Sequence, residues 1–540
     1  MSAEEFFNDV HPYGVKPLGN AYFCTQEEAA VRPLGLGAGL ARAPDEALLE
    51  ILGFLTPSDL SCVGTSSRAF YVYAHHSDLW RDLTLRQWEG TPLQFRRNWK
   101  ETFMSSMQRD AGLTGAALDA VRHEPLCVHG IFSNLLHRSW SCHTCDLSTA
   151  CPGFHKHDDI SRRHAKDLSR EQFLEQFEGT NKPLIIAGAV DYWPALQRWT
   201  EAFLVQCSRA AGGDREGEEE GPTFRATSAT APVAATFTLQ GYFRYLHASQ
   251  EEAPLYLFDR NFARKLCELG GDYDVPEYFR SADDHSVRAG ADVGLSGTDL
   301  FRLFGAAARP DYRWLICGPK RSGSIFHIDP NQTNAWNVSV RGRKKWIFYP
   351  PCVSPPGVVM SADGADVTVP ISTGEWLLSF WEQHLEARRH PDPAMRPLEA
   401  VVQPGETIFV PHGYWHMVVN LDHCIALTHN YVSTSNLANC LRFLRDTPDQ
   451  ISGVRDREEA VDADDMHRLF LAKLQASGAV DPKQLQSIVE KSEQRVAKRQ
   501  REAGEALPSV LRQKRKARTV VAGAEDKSKA AEEAFSFSFF

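Results

Sequence analysis

No run of apolar residues in this 540-residue chain reaches the length of a membrane-spanning helix. Its first residues, Met1-Ser2-Ala3-Glu4-Glu5, lack the basic stretch and apolar core of a secretory signal. Neither membrane insertion nor secretion is therefore expected. The 12 cysteines are scattered and form no regular framework, which excludes a disulfide-stapled miniprotein and suits reduced thiols in a cytosolic or nuclear compartment. An excess of positive charge is missing as well. The formal net charge of -10 argues against nucleic-acid affinity of the protein as a whole and leaves only local basic patches for that role. What the chain does have is 43% hydrophobic content over a length too great for one core, which predicts two or three globular domains.

Candidate chemistry gathers in two segments, Ser322 to Pro350 and Val402 to Val432. Phe326-His327-Ile328-Asp329 reads as a strand, and alternate strand side chains share a face, so His327 and Asp329 point the same way. In the second segment Pro404-Gly405-Glu406 turns into the strand Thr407 to Pro411, followed by His412-Gly413-Tyr414-Trp415-His416. His416 completes a triad. Two imidazoles and one carboxylate on one face of an octahedral ion leave the opposite positions open, the arrangement of non-haem Fe(II) oxygenases. An H-x-D on a strand carries little weight by itself. Its surroundings add weight: Asn337 lies just downstream, and Lys344, after the Arg341-Gly342-Arg343 turn, has the charge and position to pair with the far carboxylate of 2-oxoglutarate.

Several blocks in this order resemble JmjC-domain 2-oxoglutarate oxygenases. They are Gly318 to Pro330, Ala335-Trp336-Asn337, Gly342-Arg343-Lys344-Lys345-Trp346 and Pro404 to Tyr431. The likeness is strongest to the arginine-demethylase and lysyl-hydroxylase branch and covers roughly Asn181 to Ser433. It implies His327, Asp329 and His416 as catalytic iron ligands. It also implies Lys344 and Thr428 as contacts to the 2-oxoglutarate carboxylate, with Asn337 and Tyr256 as further co-substrate contacts. Ser324 stands where relatives carry threonine and keeps the hydroxyl for a contact. The implied reaction is oxidative decarboxylation of 2-oxoglutarate to succinate, coupled to hydroxylation of a substrate carbon. Where that carbon bears a methylated nitrogen the outcome is demethylation; where it is a side-chain methylene the hydroxyl stays.

Ahead of this domain, residues 1–42 carry Gly35, Gly37 and Gly39 and few periodic apolar positions, and read as a disordered leader. Residues 43–90 read as a helical module, in which Pro44-Asp45-Glu46, Leu48-Leu49, Ile51-Leu52, Leu55, Asp59-Leu60 and Leu79-Trp80 resemble an F-box. The likeness implies docking on a Skp1-type adaptor of a ubiquitin ligase; the alternative is a plain helical bundle capping the next domain. In the linker, 91–167, cysteines and histidines crowd together. Cys142-x-x-Cys145 has the spacing of half a zinc site, which Cys151 with His155 or His157 could complete, although a second well-spaced pair is missing. The alternative there is a loop with ordinary thiols.

The oxygenase domain is placed at 168–433, with helices near Phe173 to Phe177 and Leu239 to His247 and an acidic, solvated insert at Gly212 to Gly221. A helix over Gly374 to Ala387 carries Trp376, Leu377, Phe380 and Trp381 as a packing stripe. Helices at 434–490 are expected beside the barrel, where such helices mediate dimerisation in relatives. The tail, 491–540, is basic at Lys498-Arg499-Gln500-Arg501 and at Arg512 to Arg518, reading as a disordered segment with a nuclear import signal. No aromatic residues interleave these charges, so base stacking has little support.

The fold expected is mainly β: a double-stranded β-helix, or cupin-type jelly roll, with an N-terminal helical F-box module and C-terminal helices. Three functions compete. An Fe(II)/2-oxoglutarate oxygenase acting on protein side chains requires His327, Asp329 and His416. An F-box substrate receptor using the barrel as a platform does not require Asp329. An RNA-modifying oxygenase turns over only with RNA.

Overall fold

The computed structural model describes residues 11–112, 123–212, 221–228, 233–280, 299–361, 364, 366–454 and 461–493. The acidic run at 213–220 and the basic tail therefore lie outside the described residues. Two sheets face each other to make the central domain. The larger is built from Ser161–His164 (β1), Leu184–Ala187 (β2), Thr223–Thr227 (β3), Ala234–Thr238 (β4), Tyr256–Asp259 (β5), Arg313–Gly318 (β6), Asn334–Arg341 (β8), Thr407–Val410 (β13) and Cys424–Tyr431 (β15), in the order β1-β2-β13-β8-β15-β6-β5-β3-β4. The smaller has the order β12-β9-β14-β7, from Gly323–His327 (β7), Lys344–Tyr349 (β9), Leu398–Val402 (β12) and Trp415–Asn420 (β14). Strands β10 and β11, Val359–Met360 and Val367–Thr368, form a separate hairpin.

Among the described residues, the pairings between these strands are antiparallel except β1 with β2, and chain neighbours such as β8 and β9 lie in opposite sheets. That crossing between sheets is the expected jelly roll. Both faces of the central strands, such as β9, β14 and β15, are buried, so their sequences are rich in β-branched and aromatic residues instead of alternating with polar ones. One face meets the opposite sheet through Ile185, Ala335, Trp346, Phe348, Val410 and Val418. The outer face of the small sheet packs Phe326, Ile347, Tyr349 and Met417 against Trp376, Leu377 and Trp381. These last lie on the helix Thr373–Ala387, so the apolar stripe there is core. The outer face of the large sheet packs Leu315, Trp336, Leu427 and Tyr431 under Trp193 and Phe279.

In front of the barrel, the helices Asp45–Gly53, Pro57–Ser66, Arg68–Ala74 and Ser77–Gln87 bury Leu48, Leu52, Leu60, Tyr73 and Trp80, while Ile51 and Phe54 stay exposed. The expectation of a disordered leader is corrected for residues 11–42. Gln26–Leu40 is a helix whose start is fixed by a capping box between Thr25 and Glu28. Its Arg32 donates to Asp45 Oδ1 (2.5 Å), and Asp45 also accepts from the Tyr73 hydroxyl (2.7 Å) and Ser133 Oγ (2.5 Å). One half-buried carboxylate thus ties leader, helical module and linker together. Residues 1–10 lie outside the described residues. After the barrel, Leu437–Asp446 and Ala463–Ser477 enclose a further core with Leu300–Phe304, in which Phe470 stacks on Phe304. No helix among the described residues is long and apolar enough to cross a membrane.

The zinc expectation gains no support from the structure. Among the described residues the thiols of Cys142, Cys145 and Cys151 converge with no histidine into a ligand cluster. Cys151 Sγ donates to the Leu377 carbonyl (3.5 Å), and Cys145 Sγ accepts from Arg321 Nη1 (3.4 Å). Cys145 and Cys151 thus spend their thiols on contacts to the barrel domain.

Candidate active site

The antiparallel register of β7 and β14 sets His327 directly opposite His416, with ring centroids 4.2 Å apart. Asp329 follows two residues beyond His327, where the chain leaves β7, and its Oδ1 lies 3.7 Å from His416 Nε2. One ligand atom from each of the three side chains lies within 4.8 Å of the others, the one such cluster among the described residues. The electrostatics suit a cation. Each imidazole engages a main-chain carbonyl through Nδ1, His327 with Ile325 (2.7 Å) and His416 with Tyr414 (3.1 Å). These contacts orient the rings and leave each Nε2 lone pair for a ligand. Burial, and for His327 the neighbouring His416, pushes the imidazoles down to about 3 at His327 and about 4 at His416, so both are neutral at physiological pH. Burial pushes the Asp329 carboxyl up to about 6, against the pull of His327. Its Oδ2 is buried without any hydrogen-bond partner. A buried carboxylate oxygen left unmatched is costly unless a cation completes it, so the donor set fits a divalent ion.

Deeper between the sheets, Lys344 on β9 is 1% exposed. Its ammonium donates to the Tyr256 hydroxyl (3.1 Å), and no acidic side chain among the described residues pairs with it. A buried cation with only a phenol for company needs an anion. The cavity between the triad and Lys344 is lined by Tyr256, Ser324, Asn337 and Thr428, which brings together every residue singled out from the sequence. Thr428 Oγ1 donates to the Trp336 carbonyl (3.0 Å), and Asn337 Oδ1 is buried and unmatched. The walls are Phe258, Ile316, Ala335, Val410 and Val418.

Besides these apolar walls, two lining residues with polar groups were not assigned to the site from the sequence: Trp346 and Asn430. Each stands two positions beyond a residue that was singled out, Lys344 and Thr428, on the same strand. Strand alternation alone was signal enough to find them.

The turn beyond Asp329 is held from outside the barrel. Asn331 and Gln332 both take left-handed backbone angles, φ 55° and 57°. Asn331 exchanges two hydrogen bonds with the Ser452 main chain (3.1 and 3.2 Å), while the Gln332 carbonyl accepts from Asn436 Nδ2 (2.9 Å) and Cys440 Sγ (3.1 Å).

The comparisons agree with this geometry. The profile of the cupin-like domain family matches residues 170–436, and that of the F-box-like family matches 41–86. The chain is 38% identical over 452 residues to the arginine-specific demethylase JMJ22 of Arabidopsis thaliana, covering 83% of this chain and 79% of that protein. It is 32% identical to the bifunctional arginine demethylase and lysyl-hydroxylase psr-1 of Caenorhabditis elegans, over 52% of this chain and 63% of that one. A shorter match, 37% identical over 28% of this chain and 34% of the relative, is to the human 2-oxoglutarate and iron-dependent oxygenase JMJD4. With fold, triad and relatives in accord, the chain belongs to the JmjC branch of the cupin-like proteins, a family of 2-oxoglutarate-dependent dioxygenases.

Proposed function

We propose that this chain hydroxylates or demethylates arginine or lysine side chains of proteins, using Fe(II) held by His327, Asp329 and His416 and 2-oxoglutarate anchored on Lys344. The observation that carries this reading is a pair of buried groups lining one cavity, Asp329 Oδ2 with no hydrogen-bond partner and the Lys344 ammonium with a phenol and no acidic partner. Iron, when bound, supplies the redox chemistry that couples oxidation of the keto acid to succinate and CO₂ with insertion of one oxygen atom into a substrate C–H bond. The protein's part is orientation. His327 and His416 present fixed lone pairs, Lys344 and Tyr256 hold the far carboxylate, and Val410, Val418 and Ile316 keep water away from the reacting atoms. Ser324, Asn337 and Thr428 supply further polar contacts along the keto acid. The names of the relatives favour methylated arginine as the first substrate to try.

The helices between Asp45 and Gln87 support a second role alongside the first, capture of a Skp1-type adaptor through the exposed Ile51 and Phe54. A nuclear location suits both roles, and the F-box-like module at 43–90, linker at 91–167 and oxygenase domain at 168–433 divide the labour. The test is succinate formation from 2-oxoglutarate under aerobic Fe(II) conditions, with methyl-arginine peptides, lysine peptides and RNA as separate substrates. Peptide-dependent succinate from the natural protein and none from Asp329→Ala is expected. Turnover that persists in Asp329→Ala, or that needs RNA, overturns the reading.

A further inference from the structure

The interior of the barrel holds one more polar group without a hydrogen-bond partner, and it is not a metal ligand. Trp346 is 4% exposed, lines the cavity, and its indole Nε1 is buried with no hydrogen-bond partner. A buried indole N–H without an acceptor is unusual, because the donor has given up water and gained nothing in return. The ring is packed among aromatic neighbours. It lies nearly parallel to His416 (centroids 5.9 Å apart, 23° between planes) and to Phe348 (5.7 Å, 12°).

The register of β9 against β14 fixes the level at which this donor sits. Lys344 is opposite Asn420, Trp346 opposite Val418, and Phe348 opposite His416. Alternation puts Lys344, Trp346 and Phe348 on one face, so Trp346 occupies the step between the cation at the bottom of the cavity and the imidazole at the metal end. A keto acid anchored on Lys344 and reaching toward His416 must pass the indole.

We infer that the Trp346 indole N–H is a hydrogen-bond donor to a carboxylate oxygen of the bound 2-keto dicarboxylate, and so a co-substrate-binding residue. This rests on the co-substrate reading above and extends it by one contact. The donor is neutral and set in an aromatic stack, so it adds directionality where Lys344 adds charge.

The test uses the full chain with Mn(II) in place of iron, which separates binding from turnover. At position 346 the tryptophan is replaced by benzothienylalanine, which keeps the shape of the ring and exchanges N–H for sulfur; Trp346→Phe serves as a second variant. Calorimetric titration with 2-oxoglutarate is expected to show about a tenfold rise in Kd for both, equivalent to about 1.4 kcal/mol, with Mn(II) affinity within twofold of the natural protein. In the natural protein loaded with Zn(II), one indole N–H resonance is expected to move downfield on adding 2-oxoglutarate, and to be missing from the spectrum of Trp346→Phe. Unchanged affinity in the benzothienylalanine variant, or no moving indole resonance, overturns the inference and leaves the proposed function standing. A natural protein that binds Mn(II) but not 2-oxoglutarate overturns both.

Discussion

Two adjacent lysines on β9 have opposite fates. Lys344 and Lys345 are both almost wholly buried, and strand alternation sends them to opposite faces of the small sheet. On the outer face Lys345 lies 2.9 Å from Glu399 Oε2 and donates to the His157 carbonyl (2.9 Å). Glu399 is engaged in turn by His384 Nε2 (3.0 Å) and Arg388 Nη1 (2.7 Å), and His384 Nδ1 meets the Tyr349 hydroxyl (2.8 Å). That network joins the helix Thr373–Ala387 to the sheet and is charge-balanced, Glu399 Oε1 being hydrogen-bonded and Oε2 held by the Lys345 charge without a hydrogen bond. On the inner face Lys344 finds a single phenol, and Asp329, Asn337 and Trp346 each keep an unmatched atom. Buried charges that are paired maintain a fold, whereas buried polar groups left open around one cavity, with a cation that has no acidic partner, describe a missing ligand.

Three substitutions or conditions press on that contrast. The largest effect is expected at the charge-paired network. Glu399→Gln leaves Lys345 buried without its counter-charge, and urea unfolding should show a loss of about 3–5 kcal/mol. Next comes the open cavity: Lys344→Met should raise the Kd for 2-oxoglutarate about a hundredfold by calorimetry. The same variant should keep or raise the urea midpoint, since it removes a buried cation that lacks an acidic partner. A Lys344→Met protein as unstable as Glu399→Gln would erase the distinction between the two faces.

The smallest effect is a pH limb on metal binding. The Asp329 carboxyl stands at about 6, so below that pH a proton competes with the ion, and above it the site is ready. The two imidazoles, at about 3 and about 4, are neutral throughout this range and contribute no limb of their own. Mn(II) affinity should be flat above pH 7 and fall about tenfold per unit well below pH 6. A midpoint near 6.5 that survives Asp329→Asn would assign the limb to a histidine instead.

The sequence disclosed the site better than it disclosed its supports. His327, Asp329 and Lys344 were legible because strand alternation is a local rule, and His416 because its segment resembled a known block. Trp346 and Asn430 follow from the same rule applied two residues further. What stayed hidden depends on distant partners. The helix Gln26–Leu40 contains Pro33 and three glycines and has weak periodicity, and its surroundings include the Arg32–Asp45–Tyr73 contacts that no window of sequence reveals. The linker cysteines suggested metal by spacing, but the fold turned their side chains toward Leu377 and Arg321.

The left-handed turn at Asn331 and Gln332 carries a consequence for how far the enzyme can be trimmed. Its hydrogen bonds run to Asn436, Cys440 and Ser452, all beyond the last barrel strand, so the loop that delivers Asp329 is clamped by the carboxy-terminal helical unit. A fragment ending at Ser433 would contain every ligand and every wall of the cavity and still lose the brace that aims its carboxylate. The smallest autonomous catalyst in this chain therefore extends past the jelly roll, and the helices after it are part of the machine's frame.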